Sequence, residues 1–142
     1  MFDEKSCGIL IYRLNKSKDP EFLILNYEEG HWDFPKGHVE LNETELETAL
    51  RELKEETGIE NVQIISEFRE SLEYSYMKKG KKSTKQVVFF LGKVDQSQKI
   101  TLSSEHNDFK WLSFSDALSL LTYENAKEIL KKGNKKIIDL LK

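Results

Sequence analysis

Three glutamates, Glu52, Glu55 and Glu56, lie within five residues of one another. On an α-helix this i, i+3 and i+4 spacing makes their side chains neighbours. Like charges so placed destabilise an isolated helix by about a few tenths of a kcal/mol per pair, so they are either left in water or neutralised by a cation. Carboxylate oxygens suit Mg²⁺ or Mn²⁺, and Mg²⁺ is commonly held by one or two carboxylates together with substrate phosphates. The cluster therefore indicates either a solvated acidic helix face or a site for a divalent cation.

The segment that must position these acids is predicted to be a loop followed by a helix over residues 43–57. Asn42 is a favourable N-cap, Glu45 can complete a capping box with it, and Gly58 stands where a left-handed helix end is favoured. At about 100° per residue, one apolar stripe forms from Leu46, Ala49, Leu50 and Leu53. This stripe must pack on a core.

The acids belong to a longer pattern over residues 37–59, GHVELNETELETALRELKEETGI. The pattern resembles the Nudix box, G-x5-E-x7-R-E-U-x-E-E-x-G-U with U aliphatic, and every fixed position is filled. The resemblance implies a metal-dependent hydrolase of a nucleoside diphosphate linked to another group. It also implies an α/β (α+β) fold, in which a mixed β-sheet lies between helices in an α/β/α sandwich and the box forms a loop and a catalytic helix.

Further segments extend the resemblance to the asymmetrical dinucleoside tetraphosphatases, which split diadenosine tetraphosphate into ATP and AMP. Residues 31–40, HWDFPKGHVE, are similar to that family's HW-x-x-PKGH-x-E segment. Residues 76–81, YMKKGK, are similar to its tyrosine followed by a K-G-K turn. Residues 102–106, LSSEH, with Lys110 and Trp111, are similar to its L-S-x-E-H segment and the (K/R)-W pair that follows. Tyr123 lies where the family places an aromatic residue.

By this resemblance, acidic side chains would hold Mg²⁺ or, in its place, Mn²⁺. The expected metal site consists of Glu52, Glu55, Glu56 and Glu105, with a backbone carbonyl near Gly37. Divalent cations there would neutralise phosphate charge and lower the pKa of a bound water. Glu55, Glu56 and Glu105 are all candidates to accept the proton of that water, and the sequence does not choose among them. Arg51 is expected to pair with a box carboxylate and orient it.

The resemblance also assigns residues to the substrate. Tyr76 and Tyr123 would stack on adenine, and phosphates would be contacted by His31, Lys36, Lys79 and Lys81. Stacking of a base on an aromatic ring is worth about 1–3 kcal/mol, enough to position an adenosine. Lysines supply point charges for phosphate oxygens, and a chain with negative net charge needs them locally.

Length and composition limit the other possibilities. A chain of 142 residues fits one domain, residues 1–142, and 22 basic against 25 acidic residues give a net charge of −3. Both signs are spread along the chain, so we expect neither DNA nor a membrane as partner, and the partner that the resemblance implies is a small nucleotide. Cys7 is alone and cannot form an internal disulfide, and the first residues contain no apolar leader. We therefore expect a cytoplasmic protein, and we expect a monomer because nothing in the sequence demands a second copy.

Apolar runs and turn residues predict the remaining elements. Strands are predicted at residues 8–12, 21–26, 62–65, 68–76, 86–94 and 109–112, with an irregular segment at 27–36 and a basic turn at 77–83. A helix capped by Ser115 is predicted over residues 115–121, a second over 123–132 that stops at Gly133, and a short last helix over 135–141.

Three alternatives remain at this stage. An RNA 5′-pyrophosphohydrolase, which acts on the 5′ end of RNA, shares the box and a related W-x-x-P-K-G approach. Another nucleoside diphosphate hydrolase, acting on nucleotide sugars or oxidised nucleotides, would not explain the tyrosine and the lysine turn. A catalytically silent module that binds nucleotide or a protein partner is disfavoured, because such modules tend to lose box acids and none is missing here.

Overall fold

A computed structural model describes residues 2–142, which form one sheet and three helices. The strands are β1 (Glu4–Leu14), β2 (Pro20–Tyr27), β3 (Trp32–Asp33), β4 (Lys36–His38), β5 (Gln63–Ile64), β6 (Glu70–Lys78), β7 (Lys81–Lys93) and β8 (His106–Leu112). The helices are α1 (Glu45–Thr57), α2 (Phe114–Leu120) and α3 (Glu124–Leu140). Met1, the first residue of the predicted domain 1–142, lies outside the described residues, and the domain assignment stays a prediction.

The sheet is mixed, as expected. Its strand order is β3-β2-β1-β7-β5, with β6 added on β7, β8 on β2 and β4 on β1. β1 and β7 run parallel, whereas the other pairs are antiparallel. β1 pairs with β2 only from Tyr12 to Leu14, and near its start it pairs with β4 from Ser6 to Gly8. Because β1 changes partner along its length, β4 is brought to the place where β1 and β2 separate.

Two apolar cores cover the two faces of the sheet. The alternation of side chains along β1 sends Ile9 and Ile11 to one face, where they pack with Leu53 of α1. Leu10 points to the other face and packs with residues of α2 and α3 that include Ala117 and Ile129. The sheet therefore lies between α1 on one side and α2 and α3 on the other, which confirms the predicted α/β/α sandwich.

The start of α1 differs from its prediction, whereas its end agrees. Thr44, not Asn42, is the N-cap: its side chain accepts the backbone N–H of Glu47, and the Glu47 side chain accepts the N–H of Thr44. Asn42 has a φ of 67° and belongs to the turn before the helix, so it cannot take the extended backbone of an N-cap. Gly58 ends the helix with a φ of 76°, in the left-handed region, as predicted.

The C-terminal helices also differ from prediction. Ser113 rather than Ser115 caps α2 by accepting the N–H of Asp116. α3 runs without a break through Gly133, where the sequence predicted a helix stop. Gly133 is buried, and a Cβ atom there would overlap the side chain of Leu10. This glycine therefore allows close packing of the helix on the sheet and does not end the helix.

The predicted strands are present, and several are longer than expected. β6 and β7 extend to a tight hairpin whose two turn residues, Lys79 and Gly80, have φ angles of 51° and 77°. The segment predicted to be irregular contains the short strand β3. Among the described residues, no helix is both long enough and apolar enough to cross a membrane.

Candidate active site

A cleft of about 1060 Å³ opens beside β4 and is bounded by α1, β6, β7 and the start of α3. Most residues that the sequence assigned to metal or substrate line it: His31, Lys36, Gly37, Arg51, Glu52, Glu55, Glu56, Glu105 and Tyr123. Tyr76, Lys79 and Lys81 are not among the lining residues, and their roles stay predictions. The fold thus brings the three helix acids of the box, Glu105 and Tyr123 to the same cleft.

Arg51 organises the acids of the box. Its Nε donates to Glu43 Oε2 at 2.6 Å, and its Nη1 donates to Glu52 Oε2 at 2.8 Å and to Glu55 Oε2 at 3.1 Å. Its Nη2 also donates to the backbone carbonyl of His38 at 3.0 Å, which ties α1 to the end of β4. The hydrogen bond from Arg51 is the main reason why the pKa of Glu43 falls to about 2. These contacts hold the three acids around one guanidinium group.

Glu56 is the most buried acid of the cluster. Its side chain lies in the cleft at 5% residue exposure, and its Oε1 accepts the backbone N–H of Lys36 at 3.1 Å. Burial, followed by the negative charge of Glu52, raises its pKa to about 9. Burial also raises the pKa of Glu52, although Arg51 opposes this. A divalent cation between such carboxylates would supply the positive charge that they lack.

The carboxylates do not form a closed ligand set by themselves. In residues 2–142, no three His, Cys, Asp or Glu side chains are grouped closely enough to hold a metal ion. Glu52 and Glu55 are both turned towards Arg51, from which they accept hydrogen bonds, and Glu105 reaches the cleft from the exposed loop before β8. The donor atoms are all carboxylate oxygens, which is the donor type that Mg²⁺ and Mn²⁺ prefer. The residues therefore fit a divalent cation by chemistry.

Gly37 lies against the carboxylate of Glu52. A Cβ atom built on Gly37 would overlap all three atoms of that carboxylate group. Gly37 is not among the glycines with positive φ, so a side chain is excluded here by space and not by backbone conformation. This glycine therefore allows a close approach between β4 and α1.

Aromatic rings form the side of the cleft next to α3. Tyr27 and His31 stack with ring centroids 4.6 Å apart and an interplanar angle of 9°, and His31 lies 5.5 Å from Tyr123. Tyr27 also meets His106 at 4.4 Å in an edge contact, and its hydroxyl donates to the Phe34 carbonyl at 2.7 Å. Burial raises the pKa of Tyr27 well above its ordinary value, so its phenol stays protonated. Tyr27 was not predicted from the sequence, since its role depends on contacts between distant segments.

The hairpin of β6 and β7 places a different tyrosine in the cleft from the one that was predicted. Leu72 and Tyr74 line the cleft, and Tyr76 continues the same face of β6 with its ring 6.2 Å from that of Tyr74. Tyr74 could have been identified from the sequence, because side chains two residues apart in a strand point to the same face and Tyr76 was already predicted to contact the substrate. Lys85 of β7 also lines the cleft, and burial lowers its pKa, with the nearby charge of Lys36 as the next cause.

An ion pair lies at the floor of the cleft. Lys36 Nζ is 3.0 Å from Asp33 Oδ2, and Asp33 is 2% exposed. The other carboxylate oxygen, Asp33 Oδ1, accepts the N–H of Phe34 at 2.7 Å. Asp33 therefore holds the Lys36 ammonium near the box acids, where a phosphate could meet it.

The arrangement is suited to hydrolysis of a phosphoanhydride in a nucleotide. Acids that can bind cations, lysines that can contact phosphate and rings that can stack on a base all border one cleft. Phosphoryl transfer depends mainly on positioning and on neutralisation of phosphate charge, which these groups can provide.

Known proteins are similar to this chain in sequence and in fold. Residues 6–133 match the NUDIX domain family. The chain is 40% identical over 140 residues to the asymmetrical bis(5′-nucleosyl)-tetraphosphatase of Rattus norvegicus, with 92% of each chain covered. It is 32% identical over 124 residues to an RNA pyrophosphohydrolase of a Nitratiruptor species, with 80% of each covered. A crystal structure of a C. elegans Ap4A hydrolase binary complex superposes with a TM-score of 0.85 and 34% identity, covering 96% of this chain and 98% of that one. The chain therefore belongs to the Nudix family of hydrolases.

Proposed function

We propose that this Nudix hydrolase splits dinucleoside tetraphosphates asymmetrically, converting diadenosine tetraphosphate and water into ATP and AMP. The observation that carries the proposal is that the acids Glu52, Glu55 and Glu56 share one cleft with rings that include Tyr123, His31 and Tyr74. Acids alone would suit any diphosphate linkage, whereas aromatic rings near them suit a substrate that carries a base. The similarity to the rat asymmetrical tetraphosphatase over most of both chains supports this choice.

The acids are proposed to hold Mg²⁺, or Mn²⁺ in its place. The ligands would come from Glu52, Glu55, Glu56 and Glu105, with a backbone carbonyl near Gly37. When bound, the cations would neutralise phosphate charge and make water more acidic. The side chains of Glu55, Glu56 and Glu105 are the candidates to accept a proton from the attacking water. Arg51 keeps the box carboxylates in place through its hydrogen bonds with Glu52 and Glu55.

The remaining groups are proposed to bind and orient the nucleotide. Tyr123 and Tyr76 would contact adenine, and Tyr74 joins them because it lies in the cleft beside Tyr76. Phosphate oxygens would be contacted by His31, Lys36, Lys79 and Lys81. Lys85 is added to this group because it lines the cleft. A base held by stacking and a phosphate chain held by cations would together fix which phosphorus meets the water.

We further propose that the enzyme acts as a monomer in the cytoplasm. The cleft contains acids, lysines and aromatic rings from this one chain, so a second copy is not required to supply these groups. The only cysteine, Cys7, is buried, and burial raises the pKa of its thiol to about 11, so it is a poor nucleophile and suits a reducing compartment.

Product analysis tests the proposed reaction. The protein is incubated with Mg²⁺ and either diadenosine tetraphosphate or 5′-triphosphorylated RNA, and the products are separated by chromatography. We expect equal amounts of ATP and AMP from the first substrate and much slower release of phosphate or diphosphate from the second. Faster reaction with RNA would favour the RNA 5′-pyrophosphohydrolase, and formation of two ADP molecules would contradict asymmetrical cleavage. Nucleotide binding without turnover would favour a silent module.

A further inference from the structure

The side chain of His106 is enclosed at the back of the cleft. It lies at the first position of β8 with no exposed side-chain surface, and its ring meets that of Tyr27 at 4.4 Å. The roles proposed above leave this residue without a function, although it directly follows Glu105 in the chain.

The contacts of Ser103 allow His106 to carry its proton on Nε2. Ser103 Oγ lies 2.9 Å from His106 Nδ1 and also accepts the backbone N–H of Glu105 at 3.3 Å. A hydroxyl that accepts one hydrogen bond still has its own proton to donate, and the adjacent Nδ1 can accept it. In the neutral ring, a hydrogen bond that Nδ1 accepts places the remaining proton on Nε2.

The Nε2 atom of His106 faces Glu56 and has no hydrogen-bond partner among residues 2–142. It is buried, and Glu56 Oε2 lies 3.9 Å away. The other oxygen of the same carboxylate, Oε1, is already held by the backbone N–H of Lys36. A distance of 3.9 Å exceeds a hydrogen bond, but active-site hydrogen bonds are often long without substrate and shorten in the working complex. A buried donor without a partner destabilises the folded protein, which favours such a closure.

Backbone hydrogen bonds fix the position of His106 relative to Glu56. The N–H of Ser103 donates to the backbone carbonyl of Glu56 at 3.2 Å, and the N–H of His106 donates to the carbonyl of Ser103 at 3.2 Å. The loop before β8 is thus attached to the C-terminal turn of α1, and a small movement of one side chain is enough to bring Nε2 and Oε2 together.

We propose that His106 is a positioning residue, whose Nε2–H holds Oε2 of Glu56 while the N–H of Lys36 holds Oε1. With both oxygens held from behind, the carboxylate keeps one orientation towards the cation. This inference rests on the proposed function, because it assumes that Glu56 is a ligand. It differs from a packing role, in which any flat ring beside Tyr27 would serve equally well.

Three substitutions separate positioning from packing. In His106→Gln the amide nitrogen can take the place of Nε2, in His106→Asn it can take the place of Nδ1, and His106→Phe keeps only the ring. We expect His106→Asn and His106→Phe to weaken Mn²⁺ affinity by about tenfold to a hundredfold, the usual loss when the partner behind a metal ligand is removed. His106→Gln should stay within about threefold of the wild type, because a donor remains in place.

Mn²⁺ affinity is measured by titrating the nucleotide-free protein with Mn²⁺. The concentration of unbound Mn²⁺ at each step is read from its electron paramagnetic resonance signal. Turnover of diadenosine tetraphosphate on the same samples should show a lower kcat with little change in KM for His106→Asn. Thermal unfolding in EDTA should give similar Tm values for His106→Asn and His106→Gln, since both remove the ring.

Two results would overturn the positioning role. One is wild-type Mn²⁺ affinity in both His106→Asn and His106→Phe. The other is a loss of Mn²⁺ affinity in all three variants, including His106→Gln, that follows their loss of Tm. That result would indicate a packing role only. A wild-type protein that binds Mn²⁺ but leaves diadenosine tetraphosphate intact would contradict the proposed substrate while the comparison of variants still decides the role of His106. A wild-type protein that binds no Mn²⁺ would overturn both proposals.

Discussion

The carboxylate of Glu52 occupies the space in which a side chain of Gly37 would lie. Gly37 belongs to β4, which pairs with the start of β1, and Glu52 belongs to α1, which packs on the same sheet. The contact therefore fixes the distance between the helix that carries the acids and the strand that carries Lys36. We therefore expect the orientation of the Glu52 carboxylate to depend on the absence of a Cβ atom at position 37.

Gly37→Ala tests that dependence. The added methyl group must push the Glu52 carboxylate away, and a misplacement of about 1 Å in an active site can reduce the rate about a hundredfold. We expect kcat to fall by about that factor. The sheet should stay intact, because the φ of Gly37 lies outside the left-handed region and alanine can adopt it. The measurement is steady-state hydrolysis of diadenosine tetraphosphate, with thermal unfolding as the control. Wild-type turnover in Gly37→Ala would show that the position of Glu52 is unimportant.

The buried pair of Lys36 and Asp33 is expected to serve both stability and substrate binding. Lys36→Met leaves Asp33 as a buried carboxylate without its cation, which typically costs about 3–5 kcal/mol. It also removes a proposed phosphate contact, so KM should rise about tenfold, as expected for loss of a hydrogen bond to a charged group.

The double variant with Asp33→Asn separates the two effects. It should recover most of the free energy of unfolding, measured in urea, while KM stays high, because the buried charge is removed but the lysine is still missing. A Lys36→Met variant with unchanged stability and unchanged KM would show that neither role exists.

Adenine stacking is tested on β6. Tyr74→Ala should raise KM about fivefold to a hundredfold, the equivalent of one stacked base, and Tyr76→Ala should raise it less, because Tyr74 lies in the cleft and Tyr76 beside it. Met77→Ala is the matched control, since Met77 points to the opposite face of the strand and is 67% exposed. An unchanged KM in both tyrosine variants would count against stacking on this strand.

The raised pKa of Glu56 predicts how stability depends on pH when no metal is present. In the folded protein this carboxyl binds its proton up to about pH 9, whereas in the unfolded chain it titrates near 4.5. The folded state therefore holds more protons between these values, and the free energy of unfolding should fall as pH rises, by up to about 1.4 kcal/mol per pH unit. Glu56→Gln should reduce this slope.

Urea unfolding in EDTA at several pH values between the unfolded and folded pKa values of Glu56 measures the slope, and added Mg²⁺ should restore stability at the alkaline end. Identical slopes for the wild type and Glu56→Gln would mean that another group governs the pH dependence.

Sequence patterns correctly predicted the features of the fold that depend on residues close together in the chain. The stripe from Leu46 to Leu53 and the glycine stop at Gly58 predicted a helix that the structure contains. Its N-cap was misplaced because Asn42 and Thr44 are both suitable caps, and the choice depends on the left-handed turn at Asn42. Gly133 was misread as a helix end because its contact with Leu10 joins residues far apart in the chain.

The same distinction applies to the cleft. The acids of the box could be identified because their types and spacing lie in one continuous segment. Tyr27 and Lys85, which line the cleft, and His106, which lies behind it, could not, since strand pairing and packing place them there and spacing does not reveal these contacts. The buried ion pair of Asp33 with Lys36 likewise depends on the turn between β3 and β4.

The most direct test of the whole account is Mg²⁺-dependent hydrolysis of diadenosine tetraphosphate by the wild type and Glu56→Gln side by side. The substitution keeps the size of the buried side chain and removes its charge. We predict equal ATP and AMP from the wild type, and a kcat lower by about 10²- to 10⁴-fold in Glu56→Gln, with an unchanged Tm in EDTA near neutral pH. A Glu56→Gln variant that forms ATP and AMP at a rate close to that of the wild type would contradict the account.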